Sequence, residues 1–436
     1  MAPALSTAGP WWIHRDFAYL WIGQSFSNTG DALLSTSFVF LVVTGIAPHQ
    51  LWAPLAVSGL LMTQMVPQFL LRPLAGVWVD QWNTRRIMIV VDALRALALA
   101  CYWLSSSFVL RAGWPWRLGV AYSLVLLMSV GTQFFNPAQM VLLADIVPGP
   151  YRGRATGLSL ITLQLAMVIG PALAAPVFFL LGMNWVLAAD LGSFLISCAT
   201  IWAITDSRGN TTVPPEAQHF WQDFRAGFRL FVSQPVLRTV AVSLAVAMLG
   251  IGILQSLNVF FVTQNLHAHV AWFGYLGAAF SAGSILGGAV GMFWVARVGL
   301  IRAYTGSMCA VGLALILYAW MDRFWLGLCI FGLLGIPNAV NNVAVSPLIL
   351  KVTPIPFVGR IFALLAPAWS GVFFLSIFLS GALYSSMPAH GASMPLFGWR
   401  MHPLTLLMTL GGMLVLTGGI YAYTTLRQIA PEEVMP

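Results

Sequence analysis

Long apolar stretches alternate with short polar connections along most of the chain. A membrane hydrocarbon core about 30 Å thick is crossed by about 20 apolar residues in a helix. The narrowest separation falls within 156–205, where only Gly182, Met183 and Asn184 divide two apolar stretches and predict a very tight turn. Stretches of sufficient length predict twelve transmembrane helices, at about residues 17–44, 53–79, 86–108, 117–142, 156–181, 184–205, 237–264, 271–296, 302–320, 324–350, 357–386 and 403–426.

The composition agrees with this pattern. Of the 436 residues, 59% are hydrophobic and only 7% are charged. A soluble domain carries about 25% charged residues, so this chain has too few to cover a surface facing water. The predicted fold class is therefore an all-α, multi-pass integral membrane protein.

The basic residues predict its orientation. Fourteen of the 20 fall on the side of the predicted bundle that holds both termini, and four fall on the other. Because Lys and Arg accumulate in cytoplasmic connections, both termini are expected in the cytoplasm. The same bias explains the net charge of +8 without a nucleic-acid partner. We expect the protein in the cytoplasmic (inner) membrane of a prokaryote.

The longest hydrophilic stretch, 206–236, lies in the middle of the chain. Within it, Phe220, Phe224, Phe228 and Phe231 follow one another at helical spacings and predict an amphipathic helix on the cytoplasmic surface. This stretch divides the chain into an N-terminal six-helix half (1–205), a linker (206–236) and a C-terminal six-helix half (237–436).

The two halves also repeat in sequence. An offset of 206 residues aligns Asn136 with Asn342, Pro148 with Pro354, and the Gly-Arg pair ending at Arg154 with the pair ending at Arg360. Paired six-helix repeats are typical of transporters whose substrate path lies between the halves.

The connection between the second and third helices reads GVWVDQWNTRR, residues 76–86. It resembles the signature loop of the major facilitator superfamily, although Gln81 stands where that family often has Arg. Gly76 would let two helices approach closely, and Asp80 would accept hydrogen bonds from the start of a neighbouring helix. Arg85 and Arg86 would hold the cytoplasmic face, and Arg154 and Arg360 are expected to belong to the same gate. The resemblance implies a latch that forms in one gating state and breaks in the other.

The fifth helix carries Gly157, Gly170 and Pro171 among small residues. This pattern resembles the fifth-helix motif of the superfamily's drug–proton antiporters, with Ala in place of three of its glycines. Small residues permit close helix packing, and Gly-Pro bends a helix. Other stretches, such as 23–31 and 190–194, resemble the branch that contains macrolide efflux proteins and the enterobactin exporter. The resemblance implies multidrug-type efflux of amphipathic compounds, with proton antiport and alternating access.

Ionisable residues within the predicted spans are the sharpest functional candidates. Asp31 lies about 14 residues, or roughly 21 Å, into the first helix. A desolvated carboxylate at that depth would favour its protonated form and could carry a proton; a structural pairing is the equal alternative. Asp92 and Arg95 share one helix face, and we expect them to join the cytoplasmic gate network. Asp190 is expected to be structural.

Several amide and aromatic residues lie deep in the apolar helices. As a group they suggest a cavity suited to amphipathic ligands, while each one singly is more often an interhelical hydrogen bond or a packing contact. The candidates are Phe38, Gln133, Phe134, Gln164, Gln255, Asn258, Asn338, Asn341, Asn342 and Trp369.

Other classes of function find little support. The single lysine excludes a G-x-x-x-x-G-K-[ST] phosphate loop, and the scattered Cys and His residues predict no metal site. We expect no cofactor, no enzymatic activity, and a monomer that acts on a small-molecule substrate and protons within membrane lipid. Two alternatives stay open: an uptake permease or uniporter for a small metabolite, and a non-transporting membrane sensor.

Overall fold

The computed structural model describes residues 15–48, 50–111, 113–204, 220–354, 357–387, 394–396 and 399–429. Within these ranges, the side chains of residues 72–78, 80–81, 107–110, 220–224, 226–227, 359–360, 362–363, 394–396 and 399–401 lie outside the description.

Helices make up almost all of the described chain. They are α1 (Arg15–Phe40), α2 (Ala53–Gln81), α3 (Thr84–Arg111), α4 (Trp114–Ile146), α5 (Arg152–Pro176), α6 (Met183–Trp202), α7 (Phe220–Ser233), α8 (Pro235–Gln264), α9 (Phe273–Val298), α10 (Leu300–Ala319), α11 (Phe324–Val352), α12 (Val358–Ser386) and α13 (Pro403–Ile429).

Twelve of these helices are long and apolar enough to cross a membrane. The predicted fold class, an all-α multi-pass membrane protein with twelve spans, is confirmed. The remaining helix, α7, has 14 residues and lies in the predicted linker, where the Phe228 and Phe231 rings are 6.4 Å apart. One small element was not predicted: an antiparallel hairpin of β1 (Met394–Leu396) and β2 (Trp399–Met401), which pairs Met394 with Met401.

Two pairs of spans are joined by a single glycine. A π-helical turn continues α5 to Leu181, Gly182 follows with φ 93° and ψ 168°, and α6 begins at once. Gly299 links α9 to α10 with nearly the same geometry, φ 87° and ψ 154°. This region of backbone space is open essentially to glycine alone. The tight turn predicted at 182–184 is therefore present, and it consists of one residue.

The chain divides into two compact units. The first comprises Met1–Leu41 and Thr63–Pro214, and the second comprises Val42–Met62 and Pro215–Pro436. In the first unit α1 packs against α5 and α6, and α3 packs against α4 and α6. In the second unit, α8 packs against α12 and α13, and α11 packs against α9 and α10.

Glycines let helices of the second unit touch backbone to backbone. A Cβ atom built on Gly283 of α9 would overlap the Gly332 carbonyl oxygen of α11, and one on Gly250 of α8 would overlap the Gly411 carbonyl oxygen of α13. Small residues are the usual device for tight packing between membrane helices, because lipid provides no hydrophobic drive for their association.

Candidate functional site

Four charged side chains lie together inside the first unit. Asp31 comes from α1, Asp92 and Arg95 from α3, and Asp190 from α6. Asp92 and Asp190 are 0% exposed and Arg95 is 3% exposed, whereas Asp31 keeps part of its surface accessible. Burying charge within membrane spans costs several kcal/mol unless the charges are paired, so such groups mark functional positions. We call these four residues the acid cluster.

Arg95 is held by contacts from three helices. Its Nη1 lies 3.9 Å from Asp92 Oδ1, and its Nη2 donates to the Met128 carbonyl oxygen at 3.2 Å and to the Thr132 hydroxyl. The guanidinium also lies over the rings of Phe135 and Phe194, at 5.6 and 5.3 Å from their centroids, respectively. These contacts fix the one cation of the cluster in place.

Asp190 approaches α1 at a glycine. Its Oδ1 accepts a hydrogen bond from the Ser193 hydroxyl at 3.1 Å, and a Cβ atom built on Gly30 would overlap that same oxygen. Asp31, next in the chain, interacts electrostatically with both Asp190 and Arg95. Among the described residues, Asp190 Oδ2 has no hydrogen-bond partner.

Polar contacts nearer the N-terminus of α1 also hold α1 and α6 together. Gln24 donates to the Ser197 hydroxyl at 3.3 Å. A Cβ atom built on Gly23 would overlap the Thr200 hydroxyl and lie 3.2 Å from Ser197 Cα. Gly23 and Gly30 are seven residues apart and therefore share the face of α1 that meets α6.

The structure thus joins residues that sequence reasoning kept apart. Asp31 was predicted either as a proton carrier or as a structurally paired acid, Asp92 and Arg95 as gate residues, and Asp190 as structural. All four contribute to one cluster. The sequence does show an acidic residue in each of three apolar spans. That these residues lie close together depends on which helices pack against one another.

The predicted gate residues are described only in part. Arg85 donates from Nε to the Ile201 carbonyl oxygen at 3.1 Å and from Nη2 to the Trp202 carbonyl oxygen, so it caps the C-terminus of α6. The side chains of Arg86 and Arg154 are exposed. The side chains at three further gate positions lie outside the described residues: Gly76, Asp80 and Arg360.

The helix-5 positions differ in their surroundings. A Cβ atom built on Gly170 would lie 2.5 Å from Ala32 Cβ and 2.9 Å from the Leu33 nitrogen, so Gly170 permits close packing on α1. Pro171 is half-buried inside the helix. Gly157 has nothing within 4 Å of its position for a Cβ atom.

A cavity of about 170 Å³ lies within the second unit. Asn341 donates to the Tyr304 carbonyl oxygen at 3.2 Å and to Ser307 at 3.3 Å, and the Trp369 indole donates to the Ala241 carbonyl oxygen at 3.2 Å. Asn342 donates to Asn338 Oδ1 at 3.4 Å, so this bond does not use the Asn338 amino group. All lining residues are uncharged: Leu244, Ala247, Met248, Ile251, Met308, Val311, Asn338, Asn341, Asn342, Val345, Trp369 and Val415.

The other cavity candidates do not line this space. Phe38 is fully buried, with its ring 6.2 Å from that of Tyr102. Gln133 donates to the Ser129 carbonyl oxygen of its own helix at 3.2 Å. Asn258 accepts from the Tyr318 hydroxyl at 2.8 Å. Phe134 packs against the core of the first unit. The side chains of Gln164 and Gln255 are exposed.

Comparisons with known proteins agree on one family. The sequence profile of the Major Facilitator Superfamily matches residues 20–264. The uncharacterized MFS-type transporter YfiS of Bacillus subtilis is 24% identical, over 79% of this chain and 81% of that protein. Macrolide efflux protein A of Streptococcus pyogenes is 23% identical, over 42% of this chain and 43% of that protein.

Solved structures show the same fold. The crystal structure of a bacterial homologue of the iron transporter ferroportin, in an inward-facing state, superposes with a TM-score of 0.72. It is 15% identical, and the match covers 94% of this chain and 98% of that one.

Proposed function

Because the chain belongs to the Major Facilitator Superfamily, we propose that it is a secondary transporter that exports small amphipathic compounds in exchange for protons. Membership of this family was predicted from the loop 76–86 and the fifth helix, and it is confirmed. The proposal places the protein in the cytoplasmic membrane of a prokaryote, working as a monomer by alternating access.

The acid cluster is the observation that carries this proposal. Asp31 keeps part of its surface accessible while Asp92 and Asp190 beside it are fully buried, so Asp31 is the acid to which we assign proton exchange with water. In a low-dielectric interior, neutralising one carboxylate changes the local electrostatic energy by several kcal/mol. Proton binding at Asp31 can therefore alter the balance between two conformations.

The cargo class is inferred from the cavity in the second unit. Its walls are apolar apart from three amides and an indole whose N–H is already bonded. Ligand sites for amphipathic molecules combine apolar walls with a few polar groups that fix orientation. The volume of about 170 Å³ fits part of such a molecule. Similarity to macrolide efflux protein A supports the outward direction.

The gate assignment is part of the same proposal. Gly76 and Asp80 would latch the cytoplasmic ends together with Arg86, Arg154 and Arg360. Arg85 ties the start of α3 to the last turn of α6 within the first unit. In the fifth helix, Gly170 and Pro171 would shape the seal.

Inverted membrane vesicles test the proposal directly. Vesicles containing the protein, energised to an acidic interior, should accumulate ethidium, and a protonophore should abolish the accumulation. The Asp31→Asn protein should not couple ethidium movement to the gradient, whereas Asp31→Glu should retain coupling. Accumulation that survives collapse of the gradient, or proton-coupled accumulation by Asp31→Asn, would contradict the mechanism. Downhill flux alone would indicate a uniporter.

A further inference from the structure

We propose that Asp190 is a second proton-binding group, which shares with Asp31 the protons exchanged during transport. This inference rests on the proposed antiport and assigns to α6 a role that its sequence did not indicate. Asp92 is the acid that pairs with Arg95. The argument depends on the charge balance, the hydrogen bonding and the accessibility of the acid cluster.

The charges of the cluster do not balance if every acid is ionised. Three carboxylates and one guanidinium would give a net charge of −2 in the interior of a membrane protein. Arg95 is closest to Asp92, at 3.9 Å, and this pair is neutral. Asp31 and Asp190 then remain as two carboxylates that interact with each other. Like charges at one desolvated site cannot both persist at low cost, so protons are the available compensation.

The groups facing Asp190 offer no other compensation. From α1 it meets Asp31, from α3 it meets Asp92 and Arg95, and from its own helix it meets Ser193. Arg95 is the only cation among these facing groups. Its Nη1 lies nearest to Asp92, and its Nη2 donates to Met128 and Thr132 of α4.

The hydrogen bonding of Asp190 also leaves a position for a proton. Ser193 donates to Oδ1, whereas Oδ2 is buried and has no partner among the described residues. A buried carboxylate oxygen without a donor is costly, because it has lost water and gained nothing. Protonation of Oδ2 removes that charge and leaves the Ser193 hydrogen bond in place.

Accessibility sets the direction of proton movement. Asp31 has surface open to its surroundings and Asp190 has none. We therefore assign exchange with water to Asp31, and exchange with Asp31 to Asp190. In the step between them, one O–H bond at Asp31 breaks and one O–H bond at Asp190 Oδ2 forms, so the total charge of the pair is unchanged. The second acid thus stores a proton out of reach of bulk water.

Infrared spectroscopy of the purified full-length protein in detergent tests the assignment without a substrate. The difference spectrum between acidic and alkaline samples reports carboxyl groups that lose a proton within the membrane region. We expect Asp31→Asn and Asp190→Asn each to lose about half of the protonated-carboxyl band, and the double variant to lose nearly all of it. Asp322→Asn is the matched control: its carboxyl group is exposed and lies outside the cluster, so this change should leave the band area unchanged.

A second variant covers the case in which Asp190→Asn does not fold. Asp190→Glu keeps a carboxyl group, so it should shift the frequency of one component and preserve its area. An unshifted band in Asp190→Glu, or a wild-type band in folded Asp190→Asn, would overturn the inference.

Ethidium uptake by inverted vesicles of the same protein distinguishes this failure from failure of the antiport. If the Asp190 band titrates but ethidium uptake is not coupled to protons, the proposed function is contradicted and the assignment of a proton site at Asp190 is still supported. Coupled uptake with no band assignable to Asp190 contradicts the proton site alone.

Discussion

The backbone of Gly30 lies directly against the carboxylate of Asp190. A Cβ atom at residue 30 would overlap Asp190 Oδ1 and would come within 2.6 Å of Ser193 Oγ. The absence of a side chain on α1 therefore makes room for an acid on α6, and it places that acid beside the residue that follows Gly30.

The Gly30→Ala variant should lose proton-coupled ethidium transport, because the added methyl group displaces Asp190 from Asp31. Overpacking of this kind costs about 1–3 kcal/mol, so the protein should still fold. Gly192→Ala is the control, since nothing lies within 4 Å of a Cβ atom there and the change in helix propensity is the same. Normal transport by Gly30→Ala would show that the close approach is not needed.

The Arg95→Gln variant should be strongly destabilised. Removing one partner of a buried ion pair costs about 3–5 kcal/mol, because Asp92 is left without a cation. The double variant Arg95→Gln with Asp92→Asn should recover most of the loss. Thermal unfolding in detergent measures both. Equal stability of the single and double variants would mean that the charge of Asp92 is compensated elsewhere.

The contact between α9 and α11 predicts a contrast between adjacent glycines. A Cβ atom on Gly287 would overlap the Ile336 carbonyl oxygen and lie 2.6 Å from Ile336 Cα, whereas Gly288 has nothing within 4 Å. Gly287→Ala should lower the free energy of unfolding by about 1–3 kcal/mol. Gly288→Ala should leave it unchanged or raise it slightly. Similar melting temperatures for the two variants would contradict the packing.

Two asparagines of the cavity should behave differently. Asn341 holds α11 to α10 through Tyr304 and Ser307, so Asn341→Ala should cost about 1–2 kcal/mol of stability. Asn338 bonds only to Asn342 among the described residues. Asn338→Ala should change stability by no more than about 0.5 kcal/mol and raise the KM for ethidium severalfold. Thermal unfolding and vesicle uptake separate these outcomes, and an unchanged KM would argue against cargo contact.

The sequence predicted those features that depend on a local property. Twelve spans follow from hydrophobic length, and the turn at Gly182 follows from the lack of residues between two spans. The proximity of Asp190 to Gly30 depends on which helices pack together, and no local pattern records that. Likewise, Asn258 and Asn341 look alike in the sequence. In the structure Asn258 accepts a hydrogen bond from Tyr318, while Asn341 bonds to α10 at the edge of a cavity.

The one-residue links at Gly182 and Gly299 also constrain how the protein is made. A nascent chain leaves the ribosome in sequence order, so α6 emerges directly behind α5. Between α5 and α6 no loop exists, because helix resumes immediately after Gly182. We therefore expect the two helices to enter the bilayer as one hairpin, and α9 with α10 as another. Four of the twelve spans would thus be inserted into the membrane as two helix pairs.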